Sequence, residues 1–180
     1  MNPIETLLRR FRRDQSGVSA LEFALIAPLM LTVYLGTFEV TQGIAMDRLV
    51  KLNASTITNL VAQYTTISSS RDMPDLFAAT GRIMAPYPQA SPVTVVSCVT
   101  IDAAGKATVA WSQASGGAPR PVGQAVTLPA ALDRPNTEVI LGETSMPYRS
   151  AIQFLPIGTW NLSARAYMFP RASSVINLTS

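Results

Sequence analysis

Three features of the sequence predict an α+β fold in which one long N-terminal helix packs on a small antiparallel sheet of about four strands. An uncharged run from Phe23 to Phe38 is helical in composition and far too apolar for a surface segment. Met46, Leu49, Val50, Ile57, Leu60, Val61 and Tyr64 then recur at three- and four-residue steps, the spacing of an amphipathic helix. Further on, PVTVVSCVTID and WNLSARAYMF alternate between apolar and polar residues, and the first is rich in β-branched side chains, as strands are.

Composition narrows the function classes. Hydrophobic residues make up 48% of the chain and charged residues 14%, about half the usual charged share of roughly 25%. The net charge of +3 is concentrated at the start, where Arg9, Arg10, Arg12 and Arg13 face only Glu5 and Asp14. No basic stripe with interleaved aromatics follows, which argues against a nucleic-acid partner. Cys98 is the only cysteine, so an intramolecular disulfide is excluded. Within VTVVSCVTI it reads as a small buried hydrophobe. The absence of histidine removes the commonest general base and the commonest metal ligand together.

Val18 to Phe38 would reach roughly 32 Å as a helix at about 1.5 Å per residue, enough to span a bilayer core. The four arginines before it place that end in the cytoplasm by the positive-inside rule, with the rest of the chain across the membrane. Pro28 is tolerated in a membrane helix and is expected to kink it. Three devices would use such a segment. A signal peptide would be cut after the run, where Gly43-Ile44-Ala45 offers a small-x-small site. A plain anchor would be left uncut. Cleavage at Gly17 would instead remove the basic leader and keep the helix. Glu22 separates these, because a carboxylate at the edge of a membrane segment is costly and only the third device has a use for it. Cleavage would create a cationic amine at Val18, one helical turn before Glu22. In a bundle of staggered parallel helices, that carboxylate would neutralise a neighbour's amine.

The residues G-V-S-A-L-E-F, with Glu22 fifth after Gly17 and Phe23 sixth, resemble a type IV prepilin processing site. The continuation EFALIAPLMLTVYLGTFEV resembles the TadE-like pseudopilins of the tight-adherence (Tad/Flp) pilus apparatus, with an early Glu-Phe, a proline soon after, and a Gly-x-x-Glu stretch from Gly36 to Glu39. The resemblance covers residues 13–43 and returns at VILGETSMPYRSAIQFLPIGTWNLSARAYMFPR; residues 70–130 carry none. It implies a pilin-like fold, cleavage between Gly17 and Val18 by a prepilin peptidase, a leader held in the cytoplasm by its arginines, and an assembly role for Glu22 and Phe23. The implied partners are the peptidase, other minor pilins and the major pilin, an inner-membrane assembly platform and membrane lipid. The length of the exported part suits a minor component that initiates, caps or supports the fibre. Its location would be the inner membrane, and the extracellular pilus after assembly.

The expected divisions are a basic leader (1–17), a transmembrane and assembly helix (18–43), its amphipathic continuation (44–67) and a periplasmic α+β domain (68–180). Within the last, SSSRDMP is a loop and a short helix runs from Pro74 or Asp75 to Ile83. Val93–Ile101 and Ala107–Ser112 form a hairpin about Asp102–Lys106. SQASGGAPRPVG and AVTLPAALDRPN are connections, Glu138–Tyr148 is a third strand with an edge or bulge at Met146-Pro147, and Trp160–Phe169 closes the sheet.

Catalysis finds little support. A Ser–Lys dyad would need Lys106, which sits in a turn where a solvated lysine is the ordinary expectation. Asp72 with Asp75, and Glu138 with Glu143, read as surface charges. No P-loop, Gly-x-Gly-x-x-Gly or calcium loop occurs, so no cofactor or metal is expected. Two readings stand: a processed assembly subunit, and an uncleaved membrane-anchored periplasmic binding module of an envelope assembly machine. Glu22→Ala separates them, being silent only in the second.

Overall fold

The computed structural model describes residues 16–84, 91–149 and 158–180. The described residues divide into two compact units, residues 16–42 and residues 43–149 with 158–180. A single helix, α1 (Ser16–Val61), supplies the start of both. The following elements are β1 (Thr66–Ser68), α2 (Asp72–Gly81), β2 (Val93–Ile101), β3 (Ala107–Ser115), β4 (Thr137–Arg149), β5 (Thr159–Met168) and β6 (Asn177–Thr179). Four strands form an antiparallel sheet in the order β3-β2-β4-β5. The α+β class and the sheet are those the sequence predicts.

In the second unit, the apolar stripe of α1 is the face laid on the sheet. Val50, Ala54, Ile57 and Val61 have no exposed surface. Because side chains alternate along a strand, the even-numbered residues of β4 meet the helix and the odd-numbered ones face away. Ile57 and Val61 thus share a core with Val96, Cys98, Trp111 and Ile140. Met46 and Val50 pack with Met84 and Met146 in a second cluster. The opposite face of the sheet buries Val99, Ile101, Val139 and Leu141 beneath Val126, Leu128, Tyr167 and Phe169.

Two residues set how closely helix and sheet approach. A Cβ on Gly142 would collide with the Thr58 hydroxyl and lie 2.9 Å from the Ala54 carbonyl oxygen. Only glycine lets α1 cross β4 there. One turn earlier, buried Asn53 donates from Nδ2 to the hydroxyls of Thr94 (3.0 Å) and Thr144 (3.2 Å), tying the helix to β2 and β4 at once.

Several boundaries differ from expectation. The helix ends at Val61, not Ile67, although no glycine or proline stops it. Its last turn tightens through bonds from Gln63 N–H to the Leu60 carbonyl and Tyr64 N–H to the Val61 carbonyl. The β-branched run Thr65-Thr66-Ile67 then turns extended, and β1 pairs in parallel with β6 in a separate two-stranded sheet. The apolar spacing through Tyr64 and Ile67 therefore belongs to two elements that bury side chains in one core. The segment after Ile67 is correspondingly not all loop: α2 begins at Asp72, with Asp72 and Asp75 in its first turn, where acidic groups complement the helix dipole. Of the edge or bulge expected at Met146-Pro147, the structure has the edge. The pairing of β2 with β4 ends at Val93↔Ser145, so Pro147 is flanked by β5 alone and no ladder bond to β2 is needed from it. The sheet's bulge falls in β3, where Ala110 is the extra residue opposite the Cys98–Val99 step of β2.

The hairpin turn is as expected. Asp102 Oδ1 accepts the N–H groups of Ala104 (2.9 Å) and Lys106 (2.8 Å), while Gly105 takes the positive φ of 80°.

Candidate functional site

Among the described residues, the first half of α1 has no core of its own. Leu21, Phe23, Leu25, Ile26, Leu29 and Met30 are all exposed, Leu25 by 77%. Together with Pro28, Leu31 and Tyr34, which are exposed as well, these positions run right round the helix, unlike the single stripe of a helix lying on a globular core. The helix is long and apolar enough to cross a membrane. Three of its hydroxyls are satisfied within the helix, as an apolar surround requires: those of Thr32, Thr37 and Thr41 donate to the carbonyls of Pro28, Val33 and Thr37, each at 2.8 Å. Pro28 lies inside the helix. Lacking an N–H, it leaves the Ala24 carbonyl without its usual donor.

Gly17 and Val18 occupy the first turn of α1, and Glu22 stands one turn later beside Phe23. Glu22 is exposed, and among the described residues no hydrogen bond or ion pair engages it. Arg9, Arg10, Arg12 and Arg13 lie outside the described residues.

Residues 17–50 match the family model described as TadE-like protein. The likeness points to a protein associated with a tight-adherence pilus, and the matched segment includes Gly17 to Phe23, the apolar run and Glu39. No curated protein and no solved structure matches the chain. The match ends at residue 50, so most of the sheet-bearing unit lies beyond it.

That unit holds the two carboxylates expected as surface charges, Glu138 and Glu143. Glu138 and Glu143 lie on opposite faces of β4, so they form no carboxylate pair. On the helix side, Glu138 Oε2 accepts the Cys98 thiol (3.1 Å) and the Ile176 N–H (3.0 Å). Cys98 is fully buried. Burial, then the hydrogen bond to Glu138 and its negative charge, push the thiol far above its ordinary value. It is a structural group, not a nucleophile.

On the other face, Arg120 grips Glu143 with two parallel bonds, Nε to Oε2 at 2.6 Å and Nη2 to Oε1 at 2.9 Å, and Arg165 Nε reaches Oε1 at 2.8 Å. Burial alone would raise the Glu143 carboxyl. The hydrogen bonds and charges of the two arginines outweigh it and hold the group below its ordinary value. Arg120 lies on the Gly/Pro connection, so this cluster clamps a loop to the sheet. Its members are scattered through the sequence, which leaves no local signal by which to find them. Asn53 did carry one, a polar residue within an apolar stripe. Among the described residues, no group of three His, Cys, Asp or Glu side chains is placed to hold a metal ion.

Proposed function

We propose that the protein is a minor pilin or pseudopilin of a tight-adherence pilus, cut between Gly17 and Val18 by a prepilin peptidase and assembled through the helix it keeps. One observation carries this reading: the TadE-like segment coincides with a helix whose apolar residues are exposed on every side and whose one early charge, Glu22, has no described partner. Cleavage supplies that partner as the α-amino group of a neighbouring subunit's Val18. Pairing offsets an insertion cost of about 2.5–3.5 kcal/mol for a central carboxylate, less near the edge, and fixes the axial stagger of parallel helices. Phe23 packs beside the pair, and Pro28 is where the helix bends. Arg9, Arg10, Arg12 and Arg13 hold the leader on the cytoplasmic side, leaving the sheet domain in the periplasm. The partners are the peptidase, sibling minor pilins, the major pilin, the inner-membrane platform and lipid.

The test is the N-terminal sequence and intact mass of the protein from its native membrane, with and without the host's prepilin peptidase. The expected result is a peptidase-dependent start at Val18. With that established, Glu22→Ala is expected to be processed normally yet lost from the pilus fraction. A start at Met46 would indicate release by signal peptidase and end the pilin reading. An intact N-terminus in both strains would favour the anchored binding module.

A further inference from the structure

The two edges of the main sheet are treated differently by the chain. The β3 edge is covered by the protein's own backbone: Val109 N–H bonds to the Gln124 carbonyl, Gly123 N–H to the Val109 carbonyl and Val126 N–H to the Ala107 carbonyl, with a bridge between Thr108 and Ala125. The β5 edge is not. Among the described residues no strand lies beyond β5, and Leu162–Met168 make no backbone hydrogen bond on the outer side. Every second residue of such a strand turns its N–H and C=O outward. An open edge is a template for another strand unless something blunts it, usually proline, charged side chains, a bulge, very short length or a covering loop.

Of these, among the described residues, β5 carries only a single charge. It pairs with β4 over Thr159–Met168 in one unbroken register, and contains neither proline nor lysine. Its one charge is Arg165, whose side chain is 61% exposed. Glu143 holds Nε of that guanidinium, and its terminal nitrogens have no partner among the described residues. Beside it opens a cavity of about 610 Å³ lined by Val93, Val95, Ser145, Ser163 and Arg165 among others. A strand laid along β5 would set one side chain next to Arg165 on this face, at cross-strand distance. An acidic side chain there would complete the fork that Glu143 has already oriented.

We propose that the outer edge of β5 docks an extended segment of another polypeptide as a fifth strand, with an aspartate or glutamate of that segment seated on Arg165. Charge selects the occupant against a second copy's β5, since TWNLSARAYM contains no acidic residue and self-pairing would supply a second arginine in place of the acid. The proposal stands on the sheet and does not depend on cleavage at Gly17.

The experiment uses the full-length chain in its native membrane, with a photoreactive benzoylphenylalanine placed in turn at Ser163, Ala164 and Ala166, and adducts mapped by mass spectrometry. The expected result is a ladder: successive positions cross-link to successive residues of one segment of another protein, with an acidic residue in register with Arg165. Arg165→Glu should then reduce the adduct at least tenfold, and exchanging the partner's acid for arginine should restore it. Cys98 remaining protected from alkylation shows that the variant is folded. If it is not protected, Arg165→Gln, which adds no second carboxylate beside Glu143, carries the same test. Adducts without a running register, adducts to this chain or a second copy of it, no adduct, or a ladder indifferent to charge reversal would each overturn the proposal.

Discussion

At the scale of single residues, the sheet-bearing unit uses its buried polar groups as fasteners. Cys98 illustrates the consequence. Thiolate is the reactive species, and both burial and the adjacent Glu138 carboxylate oppose it. The native protein is expected to resist iodoacetamide at pH 8 and to react fully once unfolded by guanidinium, as read by intact mass. Rapid labelling of the native state would contradict the buried Cys98–Glu138 bond. Glu143 gives a prediction of opposite dependence on pH. Its folded-state value is depressed by Arg120 and Arg165 below the ordinary 4.5. The charged form therefore stabilises the fold above that ordinary value, and the contribution disappears as pH falls through the lower, folded-state value. Wild type should exceed Glu143→Gln in thermal midpoint at pH 7, and the gap should narrow below about pH 4. A gap that stays constant down to pH 2 would show that the carboxylate's charge is not what matters.

At the scale of elements, the decisive contact is α1 against β4 at Gly142. A methyl group there meets the Thr58 side chain and the Ala54 backbone together, and backbone in a helix does not yield cheaply. Gly142→Ala is expected to destabilise by about 1–3 kcal/mol, the usual range for overpacking, measurable as a lower midpoint in urea. Gly142→Ala combined with Thr58→Ala should recover part of the loss, because the Thr58 hydroxyl is the nearer obstacle. No recovery would place the strain on the Ala54 carbonyl alone. Such a glycine reads in sequence only as a weakness in a strand, and its reason lies in a helix some eighty residues earlier. The long strands β2, β4 and β5 were legible because alternation over nine or more residues is a strong local pattern. β1 and β6 were not: three residues each are too few to show a period, and their parallel pairing joins segments at opposite ends of the unit. The same distinction separates the candidate sites. Gly17, Val18, Glu22 and Phe23 lie within one short stretch and could be read directly, whereas the Arg120–Glu143–Arg165 clamp exists only after folding.

At the scale of the whole molecule, the chain contains one unit that can bury its own apolar surface and one helical segment that cannot. All three hydrophobic clusters draw their members from Met46 onward, while the exposed large apolar residues are concentrated between Val18 and Ile44. Stability of the sheet domain should therefore reside in residues 43–180. Deleting residues 1–42 is expected to give a protein that stays in solution without detergent and unfolds in a single cooperative transition. Cys98 should remain protected from alkylation in it. Its midpoint should lie within about 5 °C of that of the full chain in detergent, the shift that roughly 1 kcal/mol produces in a domain of this size. If the shortened protein instead shows helical circular dichroism, lost near-ultraviolet signal and dye-binding apolar surface, the packed core would require the first half of α1. The fold would then be inseparable from whatever medium covers that helix. Cooperative unfolding would give the opposite division of labour: a self-sufficient domain presenting β5, carried by a helix whose apolar surface is satisfied only by lipid or by neighbouring helices.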